Sequence, residues 1–88
     1  MKCIHINVYG NVQHKGFRFV AMQKAYQYGI RGYIQNKKDG SLYIEAEGEE
    51  EQMNGFLEWC KKGPMGSTVD EITTEEGEIK NYKSFDIK

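Results

Sequence analysis

The first element of the chain is marked by alternation of apolar and polar positions from residue 3 to residue 9. The apolar positions on one face are Ile4, Ile6 and Val8. A period of two is typical of a half-buried β-strand. The alternation stops at Gly10, and residues 11–16 are predicted to form a loop.

Helical spacing replaces this alternation from Phe17 onward. The apolar residues that fall on one helix face after Phe17 are Val20, Ala21, Ala25 and Tyr28. Gly29 follows directly, at the position where a left-handed residue commonly ends a helix. The pattern therefore predicts an amphipathic helix over residues 17–28.

Two further strands are predicted around a tight turn. One runs from Gly32 to about Asn36, and the other alternates over residues 42–47. Between them, the run Lys37-Lys38-Asp39-Gly40 carries the Asp-Gly signal that is typical of a hairpin.

A second helix is predicted after Gly48, with acidic residues at its start and Gly63-Pro64 at its end. Its apolar stripe consists of Met53, Phe56, Leu57 and Cys60. Trp59 lies beside this stripe, which predicts partial burial. Weaker strand patterns follow at about 68–74 and 84–87.

The predicted fold is one α+β domain over residues 1–88, with the element order βαββαβ plus a short C-terminal strand. This is the order of the ferredoxin-like split βαβ sandwich, a mixed, largely antiparallel sheet with two helices on one face. In that topology the first two strands are parallel and the third lies between them. Their ends, which carry the 10–18 loop and Asn36, should meet at one sheet edge about 10 Å apart.

Composition narrows the possible functions. The chain has 88 residues, is 39% hydrophobic and 12% aromatic, and has a formal net charge of −1. These values predict a folded domain without an overall field that attracts nucleic acid or a membrane. With neither a long apolar run nor a signal-peptide pattern, a cytoplasmic protein is expected. Cys3, Cys60, His5 and His14 lack metal-ligand spacing, so no metal is expected and the cysteines are predicted to pack.

The stretch HKGFRFV, residues 14–20, has two functional interpretations. It is similar to the basic-Gly-aromatic strand motif of RNA-binding domains, but it lies too early in the chain and places Arg18 where a small residue belongs. Alternatively, Gly10 and Gly16 let a loop turn its amides inward beside a helix N-terminus, where Arg18 adds a charged fork for phosphate. The structural alternative is that Arg18 is simply a solvated residue in the first turn of the helix.

A family resemblance favours the phosphate interpretation. The run Gly10-Asn11-Val12-Gln13-His14-Lys15-Gly16-Phe17-Arg18 resembles the acylphosphatase signature Gly-x-Val-Gln-Gly-Val-x-Phe-Arg. A second block, Gly32-Tyr33-Ile34-Gln35-Asn36-Lys37-Lys38-Asp39-Gly40, resembles the family's Gly-x-[Val/Ile]-x-Asn-x-x-Asp-Gly. The similarity spans the whole chain. It implies a hydrolase that cleaves the carboxyl–phosphate bond of acyl phosphates without a metal or cofactor.

The resemblance also implies roles for particular residues. Arg18 would bind the phosphoryl group, and Asn36 would hold the attacking water. The phosphate-binding loop would consist of Val12, Gln13, His14, Lys15, Gly16 and Phe17. The expected partners are an acyl phosphate and inorganic phosphate, with neither nucleic acid nor membrane, and the expected state is a monomer.

Two loop positions depart from the family pattern. His14 replaces the usual glycine and Lys15 the usual valine. If the glycine position has positive φ, His14 is strained. Both side chains are expected to point to solvent; the alternative is that they face the anion and tune its binding. A weakly active or inactive phosphate-binding module of the same fold is therefore the second hypothesis, and an RNA-binding domain the third.

Other polar residues are given structural interpretations. His5 is placed on an open sheet face, and Tyr9, Tyr33 and Tyr43 are predicted to share that face. The acidic residues Glu47, Glu49, Glu50 and Glu51 are interpreted as a solvated helix start rather than a metal site.

Overall fold

The computed structural model describes residues 1–14 and 16–88, and includes Lys15 only as the first position of a helix. Its elements are β1 (Lys2–Asn11), α1 (Lys15–Tyr28), β2 (Arg31–Asn36), β3 (Leu42–Gly48), α2 (Glu50–Lys62), β4 (Thr68–Gly77) and β5 (Phe85–Ile87). The predicted element order is confirmed. The strands β1 and β4 extend further than their patterns indicated, because they pair with each other along most of their length.

The strand order is β4-β1-β3-β2-β5. The strand β3 is antiparallel to both β1 and β2, whereas β2 and β5 are parallel. As predicted, β1 and β2 run in the same direction with β3 between them. Together with the two helices, this sheet is the ferredoxin-like α+β sandwich.

The helices pack on one face of the sheet, where they enclose the core. The residues of this core are Ile6, Val8, Val12, Phe17, Ala21, Ala25, Ile30, Ile34, Leu42, Ile44, Ala46, Met53, Phe56, Cys60 and Phe85. The periodic stripes of both predicted helices contribute to it. Burying each of the larger side chains contributes roughly 1.5–3 kcal/mol.

A β-bulge at Gly10 ends the regular part of β1. The pairing of β1 with β4 shifts between Tyr9 and Gly10, and Gly10 has φ 135°. A Cβ atom at this position would lie 2.1 Å from the carbonyl oxygen of Thr68. Only glycine fits here, and β1 stays paired with β4 in the shifted register through Asn11.

Both helices have identifiable ends. Gly29 is left-handed with φ 71°, as predicted for the C-cap of α1. A capping box between Glu49 and Gln52 begins α2, and Lys61 and Lys62 lie in its last turn. Glu49 to Glu51 are exposed, which confirms the predicted solvated helix start for these three residues.

The other face of the sheet is crossed by residues 78–84, here called the crossing segment. Beneath it, Glu45 and Glu47 are 2% and 0% exposed, so the expectation that Glu47 belongs to a solvated helix start is wrong. The reason is that the crossing segment supplies donors: Glu47 accepts hydrogen bonds from the backbone amides of Lys80 and Tyr82. The strand pattern by itself places Glu47 on the side of β3 away from the helices, where exposure is expected.

Glu45 is the centre of this covered face. One carboxylate oxygen accepts hydrogen bonds from Lys80 Nζ at 2.6 Å and Tyr82 OH at 2.7 Å. The other accepts from Tyr43 OH at 2.8 Å and Tyr33 OH at 3.2 Å. Burial by itself would raise the pKa of Glu45, but the hydrogen bonds from Lys80, Tyr82 and Tyr43 and the charge of Lys80 lower it to about 2. Tyr33 and Tyr43 share this face as predicted, with ring centroids 5.8 Å apart.

This carboxylate should make stability depend on pH. Because its folded pKa of about 2 lies below the ordinary 4.5, Glu45 contributes stability above pH 4.5 that is lost as pH falls toward 2. We expect Glu45→Gln to lower the free energy of unfolding by about 3 kcal/mol at neutral pH and by progressively less toward pH 2. Urea unfolding at a series of pH values measures this difference. Glu71→Gln, at an exposed position of β4, is the control; a Glu45→Gln deficit that stays constant down to pH 2 would contradict the prediction.

Candidate active site

One edge of the sheet brings together the segments that the sequence singled out. Leu42 of β3 pairs with Val8 of β1 on one side and with Asn36 of β2 on the other. Asn36, the last residue of β2, is therefore two strand spacings, about 10 Å, from Val8, and β1 ends three residues later at Asn11. Asn36 is exposed and follows the buried Ile34 by two residues, so both side chains lie on the face of the sheet that carries α1.

The loop between β1 and α1 is anchored by two core side chains. Val12 is 1% exposed and Phe17 is fully buried. The Phe17 ring packs edge-on against Trp59 of α2, with centroids 5.5 Å apart, and Trp59 is half-buried as predicted. The loop is thus held by packing at both of its ends, Val12 and Phe17.

Gln13 fastens this loop to the hairpin between β2 and β3. Its side-chain amide donates to the carbonyl oxygens of Lys37 at 2.6 Å and Ser41 at 2.8 Å. Asp39 in turn accepts hydrogen bonds from the backbone amide and hydroxyl of Ser41. The sequence interpretation placed Gln13 in the loop but missed this bridge; the glutamine of the family motif was the available signal.

The bridge should support the loop. We expect Gln13→Ala to lower the free energy of unfolding by about 1–2 kcal/mol, because two hydrogen bonds to hairpin carbonyls are lost. Inorganic phosphate should also inhibit the variant less strongly than wild type. Urea unfolding and phosphate inhibition measure the two effects. Gln23→Ala, an exposed glutamine on α1, is the control, and equal stability of both variants would contradict the prediction.

Arg18 lies in the first turn of α1 and is half-buried. Its Nε is shielded from solvent and has no hydrogen-bond partner among residues 1–14 and 16–88. The N-cap residue His14 makes no side-chain cap, and the first turn contains no acidic residue. A helix N-terminus with an uncompensated guanidinium is suited to an anion.

His14 does not occupy the conformation that the family's glycine suggested. Its φ of −103° and ψ of 159° are extended, so the conditional expectation of strain does not apply. The imidazole lies over Gly16, with its Nδ1 3.4 Å from an ideal Cβ built there, and packs 6.2 Å from the ring of Phe17. Its Nε2 is shielded from solvent, so the expectation that this side chain points to solvent is wrong. Lys15, the other departure, lies outside the described residues.

A separate cleft of about 460 Å³ lies between α2 and β4. Its lining residues are Asn54, Leu57, Glu58, Lys61, Ile72 and Thr74. None of the predicted site residues is among them. The anion-binding candidate is instead the loop between β1 and α1, at the rim of the sheet.

Within the described residues, none of the helices has both the length and the apolar character needed to cross a membrane.

The sheet edge, the anchored loop and the arginine define a small α+β domain with a candidate anion-binding loop. The acylphosphatase family model matches residues 4–87, so the chain belongs to the acylphosphatase family.

Individual relatives agree with this assignment. An acylphosphatase of Archaeoglobus fulgidus is 42% identical, with 99% of this chain and 98% of that protein covered. An acylphosphatase of Thermotoga maritima is 40% identical, with 100% of this chain and 98% of that protein covered. The crystal structure of acylphosphatase from Bacillus subtilis superposes with a TM-score of 0.95 at 33% identity, and covers 99% of this chain and 98% of that one.

Proposed function

We propose that this chain hydrolyses acyl phosphates to a carboxylate and inorganic phosphate, with Arg18 and the 12–17 loop as its phosphoryl site. The observation that carries the proposal is the half-buried Arg18 at a helix N-terminus beside an anchored loop, where its shielded Nε has no hydrogen-bond partner within the described residues. Membership of the acylphosphatase family supports the activity. The residue roles are our own assignment.

In this proposal the guanidinium of Arg18 and the backbone amides of the 12–17 loop bind the phosphoryl oxygens, except the amide of Phe17, which donates to the carbonyl oxygen of His14 at 3.1 Å. A guanidinium matches two oxygens at once and remains charged at every physiological pH. Phosphoryl transfer depends mainly on positioning and on stabilising charge over the equatorial oxygens. Donors that are already fixed in the free protein supply this stabilisation without reorganising.

Asn36 is the proposed water-holding residue. Water attacks phosphorus, a new oxygen–phosphorus bond forms, and the bond between phosphorus and the carboxylate oxygen breaks. A carboxylate is a good leaving group, so the step needs little acid catalysis. The assignment is supported by the position of Asn36 on the α1 side of the sheet edge, about two strand spacings from β1.

A second candidate is a phosphate-binding module with little or no turnover. The observation behind it is the His14 imidazole lying over Gly16, where the family's glycine has no side chain. The imidazole is a bulky group that the family pattern does not have at this position of the proposed phosphate loop. Both candidates predict binding of inorganic phosphate, and turnover separates them.

The test is hydrolysis of a simple aryl acyl phosphate in the presence of EDTA. Rapid release of phosphate, inhibited competitively by inorganic phosphate, is the result expected for a metal-independent hydrolase. Phosphate binding without turnover would favour the second candidate. Activity that EDTA abolishes and a divalent ion restores would contradict the metal-free mechanism.

The monomeric state and the cytoplasmic location stay predictions. Sedimentation analysis checks the monomeric state.

A further inference from the structure

Three metal-ligating side chains meet on the sheet face opposite the helices. Cys3 and His5 are two residues apart on β1, so their side chains lie on the same face. Glu45 of the neighbouring strand β3 lies directly opposite His5. One ligand atom from each residue lies within 4.8 Å of the others. Sequence spacing suggested no metal ligands here, because the carboxylate comes from a different strand. The alternation of β1 does place the thiol and the imidazole on one face.

The imidazole of His5 gives an independent indication of a ligand site. His5 Nε2 is shielded from solvent, and within the described part of the chain it has no hydrogen-bond partner. It lies 3.8 Å from Oε1 of Glu45, longer than a hydrogen bond. The Gly77 position makes room for the ring, since an ideal Cβ there would be 2.4 Å from Nε2. A buried nitrogen without a partner is costly, and a bound cation would satisfy it.

We infer that Cys3, His5 and Glu45 form a binding site for a thiophilic divalent cation of the Zn²⁺ class. Sulfur, imidazole nitrogen and carboxylate oxygen are the three ligand types that zinc takes. Bonds of about 2.0–2.3 Å in a tetrahedron place ligand atoms roughly 3.5 Å apart, so small side-chain rotations close the site. A thiolate disfavours magnesium and calcium, which take oxygen ligands.

A cation already lies on this carboxylate. The ammonium of Lys80 contacts Oε1 of Glu45 at 2.6 Å, and the Lys80 side chain is 53% exposed, so it can swing into solvent. The same oxygen cannot serve both lysine and metal well, and the two cations should compete. Burial and the carboxylates of Glu47 and Glu45 also raise the pKa of Cys3, so an entering ion must displace the thiol proton.

The competition provides a sharp test with Co²⁺ as a spectroscopic probe and Zn²⁺ as its competitor. We expect one equivalent of Co²⁺ to produce a thiolate-to-metal charge-transfer band that Zn²⁺ removes. Cys3→Ser should abolish the band, whereas Cys60→Ser, in the helix-side core, should retain it. His5→Gln should weaken Co²⁺ binding by about tenfold or more.

Lys80→Met is the decisive variant, because removing the competing ammonium should tighten Co²⁺ binding by roughly tenfold. Lys83→Met changes an exposed lysine of the same crossing segment and should leave the affinity unchanged. Absence of the band in folded wild-type protein would overturn the inference. So would an affinity that Lys80→Met leaves unchanged or weakens. These outcomes are independent of acyl phosphate hydrolysis, which is measured at the other site with EDTA present.

Discussion

Arg18→Ala is expected to lose nearly all turnover of an acyl phosphate, together with inhibition by inorganic phosphate. In our assignment the guanidinium contacts the phosphoryl group in both the ground state and the transition state. Removing a fixed donor of this kind typically costs about 3–4 kcal/mol, or roughly a hundred- to thousandfold in rate. Steady-state kinetics with inorganic phosphate as inhibitor measure both losses.

Two further variants separate charge from geometry and from folding. Arg18→Lys keeps a positive charge but lacks the planar fork, so it should recover only a small part of the activity. Arg31→Ala removes the other arginine, which pairs with Glu47 in the β2–β3 register away from the loop, and should retain near-normal kcat. Near-normal activity of folded Arg18→Ala would refute the phosphoryl-site assignment.

Asn36→Ala is expected to abolish turnover while phosphate still competes for the site. The amide is assigned to the attacking water, whereas the phosphoryl group is assigned to the loop on the other side of β3. Losing a group that positions a reactant should lower kcat by about a hundredfold or more with a smaller change in affinity. In Asn36→Ala, kcat is therefore expected to fall strongly, whereas inhibition by inorganic phosphate should change less.

The comparison variant for this experiment is Asn54→Ala, an exposed asparagine on α2 that belongs to neither segment. It should keep the kinetics of the wild type. If Asn36→Ala lost phosphate binding in proportion to kcat, Asn36 would belong to the phosphate site. If it retained full activity, the attacking water would have to be held by another group.

Local patterns were sufficient to predict the helices, the central strands and their order, because each element has an apolar face of the right period. The edge strand β4 was predicted too short, since its polar residues carry little alternation and its extent is set by pairing with β1. The site was predictable in outline because topology alone places the ends of β1 and β2 at one edge.

Contacts between distant segments were the part that sequence patterns missed. The Gln13 bridge depends on where the hairpin carbonyls lie, and the burial of Glu45 and Glu47 depends on the crossing segment. A glutamate on the open side of an antiparallel strand is ordinarily exposed. Its burial here requires donors from Lys80 and Tyr82, which no periodicity indicates. The motif likewise could not predict the extended backbone of His14, because a motif gives residue types and not backbone angles.

The insertion of β3 between β1 and β2 has a consequence for folding. Arg18 and Asn36 both precede β3 in the chain, yet β3 is the spacer that sets their separation. A nascent chain that already contains both residues therefore has no assembled site until β3 pairs on both sides. The β2–β3 pairing is a local hairpin, whereas the β1–β3 pairing joins distant segments and is expected to form more slowly. Catalytic activity would thus report completion of the sheet's centre rather than formation of helices during refolding.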